Sequence, residues 1–192
     1  MSMPFILTLT GPDRVGIVGE VTGLLLERGG NVETSRMARL GGEFAVLMLV
    51  TIPETRLMEL ASAFDGLKAR GYQVSATQAG QSEGDGHAGW LAYRVEVRGA
   101  DHEGIIHEVA RYLSSVGISI ESAESESAPA PTSGVPLFAM NAEVIAPPGL
   151  PEAEWRAALN EIGARMNLDV SVSPSKDRSV CRSSDTTKDS GV

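Results

Sequence analysis

Two short phrases in this chain set an acidic residue, an ionisable residue and a glycine at the same spacing. The first is Asp13-Arg14-Val15-Gly16-Ile17-Val18, and the second is Asp101-His102-Glu103-Gly104-Ile105-Ile106. In each, the glycine delivers the chain into an apolar run of helical period. A helix start carries N–H groups that lack intrahelical partners, together with the positive end of the helix dipole. A carboxylate or phosphate can dock there on charge-assisted hydrogen bonds. The turn is too short for a nucleotide P-loop and lacks its Lys-Ser/Thr ending. A small carboxylate, such as that of an amino acid, fits it better.

An amino acid also brings an ammonium group, which needs acceptors. Asn31 and Ser119 open the strand after each helix and offer side-chain or main-chain oxygens. Asn141, an amide among small and apolar residues, is a further candidate. The same residues have plainer uses. Asp13 and Asp101 suit helix caps or turns, and Asn31 after two glycines suits a turn.

Other chemistries find less support. His102 and His107 do not share a helix face as metal ligands one turn apart would, and their counterparts are Arg14 and Gly19. With His87 they read as incidental, so neither a metal site nor a cofactor is expected. Cys181 is the single cysteine, so no intrachain disulfide or cysteine-based zinc site can form. Serine has no Gly-x-Ser-x-Gly context. Glu20 and Glu108 read as residues of a solvated helix face, and Met37, Met48 and Met58 as core filler. No catalytic residue is expected; a hydrolase or transferase using His102 and Glu103 is the remotest alternative.

The phrases belong to a longer repeat. At one constant offset Glu20 answers Glu108, Val21 answers Val109, Leu25 answers Leu113, and Gly29 answers Gly117. Val32 answers Ile120 and Glu33 answers Glu121. The chain is a tandem of two copies of one small domain. In the first, Phe5–Thr10 alternates as a strand, a helix runs from Val15 to Gly29-Gly30, and Asn31–Leu40 and Glu43–Ile52 form a hairpin about Gly41-Gly42. One helix then runs from Pro53-Glu54 to Gly71, before a strand at Tyr72–Thr77. The second copy repeats this with strands at Leu91–Arg98, Ile118–Ser127, Val135–Ala146 and Leu168–Val172, and helices at Gly104–Val116 and Glu152–Met166. Its hairpin is longer through a Pro-rich turn at 128–134, so that Phe138 answers Phe44 at a larger offset. The expected domains are 1–78 and 91–174, joined by a linker at 79–90 and followed by a disordered tail at 175–192. The order β-α-β-β-α-β predicts an α+β fold, with two ferredoxin-like four-stranded antiparallel sheets in tandem, helices on one face of each.

Composition narrows the function classes. The 192 residues carry a formal net charge of −9 and 5% aromatics. An acidic body repels a nucleic-acid backbone and few aromatics argue against base stacking, so no direct nucleic-acid partner is expected. Met1-Ser2-Met3-Pro4 leads straight into a strand with no basic leader, and no apolar run approaches a membrane span. A cytoplasmic location and no membrane partner are expected.

Asp-Arg-x-Gly-Ile-Val at a strand-to-helix turn, followed by Gly-Gly-Asn-Val entering a strand, resembles the ACT domain family of small-molecule regulatory modules. Ser35-Arg36-Met37-Ala38-Arg39-Leu40-Gly41-Gly42-Glu43-Phe44 resembles the hairpin of glycine cleavage system transcriptional repressor-like proteins, which are tandem ACT proteins of similar length. The resemblance spans Phe5 to about Ser173. It implies amino-acid binding, with glycine or serine as the expected ligand, where paired domains meet. There the loop before the first helix of one domain faces the second strand of the other. Carried onto this chain, that points to Asp13, Arg14, Gly16 and Ile17 with Asn31, and to Asp101, His102, Gly104 and Ile105 with Ser119. It also implies a homo-oligomer that acts on transcription through a protein partner, such as a transcription factor. Control of an amino-acid metabolic enzyme, or a bare dimerisation scaffold, are the alternatives. The chain departs from the family at Val15, where proline is common, and at His102 and Ser119, so two unequal sites are expected.

Overall fold

The computed structural model describes residues 2–80, 87, 89–131 and 134–175. Cys181, the expected tail beyond Ser175 and most of the expected linker lie outside these residues. The chain divides into two compact units, Met1–Ser82 and Glu83–Val192.

The first unit contains β1 (Ser2–Pro12), α1 (Ile17–Leu26), β2 (Asn31–Leu40), β3 (Glu43–Pro53), α2 (Leu57–Ala63), α3 (Asp65–Lys68) and β4 (Gln73–Gln78). The second contains β5 (Leu91–Ala100), α4 (Ile105–Ser115), β6 (Ser119–Pro129), β7 (Pro136–Ala146), α5 (Glu152–Arg165) and β8 (Leu168–Pro174). Each forms a four-stranded antiparallel sheet, in the orders β2-β3-β1-β4 and β6-β7-β5-β8. Both are ferredoxin-like, as the element order predicts.

Apolar spacing fixes which faces are buried. Ile17, Val21 and Leu25 of α1 fall one helical turn apart and are buried against Leu7, Leu9, Met48 and Val50. In the second unit Ile105, Val109 and Leu113 of α4, with Trp155 and Leu159 of α5, cover Val95, Val97, Met140 and Val144. The central strands β1, β3, β5 and β7 alternate core-facing and open-facing residues. Among the described residues no helix is long and apolar enough to cross a membrane.

The repeat extends to irregularities. The β2–β3 register shifts between Val32 and Thr34, and the β6–β7 register shifts between Ile120 and Ser122. The extra residue is Glu33 in one and Glu121 in the other, a β-bulge at the same place in both copies. A Cβ on Gly11 would lie 2.5 Å from Tyr72 Cδ1, and one on its counterpart Gly99 2.7 Å from Leu168 Cδ2. Both glycines let the last strand close tightly on the first.

Two expectations need correction. The helix expected from Pro53 to Gly71 is a 3-10 turn at Glu54–Arg56 followed by α2 and α3. The break falls at Phe64, whose carbonyl accepts from both Leu67 and Lys68, so the chain tightens there and buries Phe64 and Leu67 together. Of the methionines, only Met48 is core among the three expected; Met37 is 44% exposed and Met58 81% exposed. Met58 carries helical spacing but lies on the outer side of α2.

Candidate functional site

Gly16 and Gly104 are the residues immediately before α1 and α4, with φ of 89° and 91°. This left-handed region costs any L-residue with a Cβ, which is why glycine stands there. A Cβ at either glycine would meet nothing within 4 Å, so backbone conformation alone imposes the choice. No side chain caps either helix. In the first unit the Ile17 N–H donates to the Arg14 carbonyl at 3.4 Å, and the helix start stands beside the fully exposed Val15.

Of the two plainer uses of the aspartates, the structure shows no helix cap. The Asp13 carboxylate accepts from Arg39 at 2.9 Å, and its N–H donates to the Gly42 carbonyl. The Asp101 carboxylate accepts from Ser127 Oγ at 2.6 Å, and its N–H donates to the Pro136 carbonyl. Arg39 and Ser127 are counterparts in the repeat. Each aspartate thus ties its turn to the hairpin end of its own sheet.

Arg14 turns inward. Its guanidinium donates to Glu20 and, at 3.1 Å, to the Tyr72 hydroxyl, which donates on to the Pro12 carbonyl at 2.7 Å. It also sits 5.8 Å from the Tyr72 ring centre, within cation–π range. Glu20 accepts from Arg70 as well. Hydrogen bonds from Arg70 first and Arg14 second hold the Glu20 carboxyl below the ordinary range. Glu20 is therefore the hinge of an Arg14–Glu20–Arg70 cluster that pins the turn, and not a solvated helix residue.

His102 occupies the place of Arg14 and is held differently. Its Nδ1 faces the Glu103 carbonyl at 3.1 Å and its Nε2 the Met166 carbonyl at 3.0 Å, at the C-terminus of α5. A carbonyl only accepts, and neutral imidazole has a single N–H, so the doubly protonated ring alone satisfies both contacts. The Glu103 carbonyl first, then the Met166 carbonyl, raise the His102 pKa above its ordinary value, with Asp101 adding to the same direction. A group whose folded pKa is raised stabilises fully below its unfolded value, about 6.5, and loses that contribution as pH rises through the folded value. The second unit is therefore expected to melt at a lower temperature as pH rises beyond about 6.5, and His102→Gln to flatten that slope. An NMR titration of the ring protons that places His102 at or below an ordinary histidine would rule the double contact out.

Ile17 and Ile105 are each 2% exposed, so their side chains belong to the core and only their main chain can serve the turn. Asn31 is exposed and Ser119 half-buried, but neither lies near its own turn. Asn31 pairs with Thr51, which pairs with Pro4 at the start of β1; the turn follows Pro12 at the other end. Ser119 pairs with Ile145, which pairs with Ala92 near the start of β5. At about 3.4 Å per residue, roughly 25 Å of strand separates each pair of candidates. The structure brings Asp, Arg or His, and Gly together within a unit and leaves Asn31 and Ser119 at the far end. Asn141 lines a shallow basin on the open sheet face with Arg94, Ser122, Glu124 and Glu143, in mid-strand rather than at the Asp101 turn of its unit.

Sequence reasoning missed Glu20, Arg70 and Tyr72. The available signal was Glu20 recurring as Glu108 in a first helical turn, where acid is favoured. Glu108 itself pairs with Arg111 at 2.7 Å, so the two clusters differ.

Comparison with known proteins follows the same lines. The ACT domain family model matches residues 3–75. A crystal structure of an unknown protein from Galdieria sulphuraria is 32% identical, with a TM-score of 0.79, covering 91% of this chain and 99% of that one. The structure of a candidate glycine cleavage system transcriptional repressor is 18% identical, with a TM-score of 0.65, covering 90% and 97%. The latter likeness is one of fold. A search of curated proteins gives no match. Residues 3–75 thus belong to the ACT domain family, and the second unit repeats the same β-α-β-β-α-β fold and glycine turn, which makes the chain a tandem of ACT-like domains.

Proposed function

We propose that this chain is a non-catalytic regulatory protein of the cytoplasm that senses a small amino acid, glycine or serine first, and acts on transcription through a protein partner. The observation that carries this reading is the pair of uncapped helix starts behind left-handed glycines, at the same place in both units. Main-chain N–H groups at such a start suit a carboxylate. The name of the candidate repressor, which shares this two-unit fold over nearly the whole chain, supplies the transcriptional direction.

In this reading domains 1–78 and 91–174 are the sensing modules. Each turn supplies the carboxylate end of a site, and Asn31 or Ser119 of another domain supplies acceptors for the ammonium. The distance of each strand start from its own turn supports this composite reading. Ligand would then shift the population between domain arrangements and alter the surface offered to a partner.

Titration calorimetry of the full chain against the common amino acids tests this. Saturable binding of glycine or serine at up to millimolar concentration is expected; no heat and no thermal shift with any amino acid would sink the sensor. Capture of partners with and without ligand distinguishes a transcription factor from a metabolic enzyme.

A further inference from the structure

In each unit the Asp-x-x-Gly turn lies beside the junction of the last helix with the last strand. Thr10 pairs with Gln73 in the first unit, and Arg98 with Asp169 in the second. On that register Tyr72 answers Leu168, and Arg70 answers Met166. The second residue of the turn reaches this junction in both units, by different chemistry. Arg14 donates to the Tyr72 hydroxyl and to Glu20, which also accepts from Arg70. His102 meets the Met166 carbonyl at the C-terminal cap of α5, at 3.0 Å, and its other nitrogen meets the Glu103 carbonyl within the turn. Glu108, the counterpart of Glu20, is taken by Arg111 on its own helix. Among the described residues the carboxylate bridge of the first unit is thus absent from the second, and the imidazole makes the connection to α5.

We propose that His102 is a pH-operated latch on the second turn: charged, it holds Asp101–Gly104 against the end of α5, and neutral, it lets that turn move, while Arg14 keeps the first turn pinned. A guanidinium stays charged at every pH a cell reaches, and an imidazole does not. The neutral ring has one N–H for two carbonyls, so one nitrogen then turns a lone pair toward a carbonyl oxygen and that contact is lost. The surrounding charges fix the direction. Asp101 on the same turn favours the charged ring, and its carboxylate is held in place by Ser127 of β6. The negative end of the α5 dipole favours it too. Arg165 in the last turn of α5 and His107 of α4 bear on Glu108, and Asp169 of β8 lies opposite Arg98. The latch is therefore closed in mild acid and opens as pH rises. Where ligand is concerned, this rests on the sensing reading: the second turn holds a carboxylate better when latched, because its N–H groups keep their aim and the ring adds positive charge. The two turns of one chain then respond unequally to pH.

Nitrogen-15 relaxation on the full chain without ligand tests the latch, so its outcome is independent of whether any amino acid binds. At about pH 5.5 the backbone order parameters of residues 101–104 are expected to match those of β5 and β7, about 0.85. At about pH 8 they are expected to fall toward about 0.6, with residues 13–16 and both strands unchanged. Constancy of the strands separates release of the turn from loosening of the whole unit. His102→Arg, which copies the first unit, is expected to keep the second turn rigid at both pH values. His102→Gln is expected to leave it mobile at both. A second turn as rigid at the higher pH as at the lower, a loss shared equally by residues 13–16, or a pH dependence that survives in His102→Gln overturns the proposal.

Discussion

Replacing Trp155 by alanine is expected to cost the second unit about 3–5 kcal/mol and the first unit nothing measurable. Trp155 is 2% exposed and is the largest fully buried side chain of the described residues. It stands on α5 one helical turn before Leu159 and meets Tyr93 edge-on, with ring centres 5.2 Å apart. Its removal opens a cavity that Leu113 and Val95 cannot fill without moving the sheet. Each unit has its own core cluster, and Trp155 belongs to that of the second. A domain of ordinary stability holds about 5–15 kcal/mol, so the loss brings the second unit near its unfolding midpoint well below the melting temperature of the first. Thermal unfolding followed by circular dichroism should split into two transitions, with only the upper one matching wild type. A single transition that moves as a whole would show that the units unfold together. Trp155→Phe should cost less, both because the ring is kept and because the buried indole N–H has no hydrogen-bond partner to lose.

The fold is readable in the sequence because its signals are local or repeated. Ile17, Val21 and Leu25 announce a buried helix stripe within nine residues, and their return as Ile105, Val109 and Leu113 leaves little choice of architecture. The glycines at 16 and 104 are legible for the same reason: a turn into a helix needs left-handed backbone. What the sequence hides is set by pairing at a distance. Glu20 looks like a surface residue until Arg70 is brought beside it, and nothing near either residue signals the meeting. Asn31 looks like part of the turn site because α1 is short, and only the β2–β3–β1 register shows that it starts at the far end of the sheet. Phe64 breaks its helix because the core needs Phe64 and Leu67 together, a demand that comes from β1 and β3. The unequal open faces of the two sheets were visible in principle, as Ile-Leu-Thr-Leu-Thr against Arg-Val-Glu-Val-Arg, but which residues share a face needs the register that aligns them.

Gly16→Ala is expected to weaken amino-acid binding about tenfold, with Gly104→Ala having a smaller effect. Alanine meets no neighbour at Gly16, so the substitution acts through φ alone. Holding an L-residue at φ near 89° costs about 1–2 kcal/mol. The chain can escape that cost by rotating the peptide at Gly16, but Ile17 is anchored in the core and cannot follow. The rotation therefore re-aims the N–H groups that the turn presents. A loss of about 1.4 kcal/mol in binding is a factor of ten. Gly149→Ala provides the matched control: Gly149 also has φ 89° and open space, but precedes α5 and belongs to neither Asp-x-x-Gly turn. It should show the same loss of stability with ligand affinity intact. The smaller effect at Gly104 is expected because His102 replaces Arg14 at that turn. Calorimetry of the three variants, with their melting temperatures, decides the matter. A folded Gly16→Ala that binds glycine or serine as tightly as wild type would place the ligand elsewhere than at this turn.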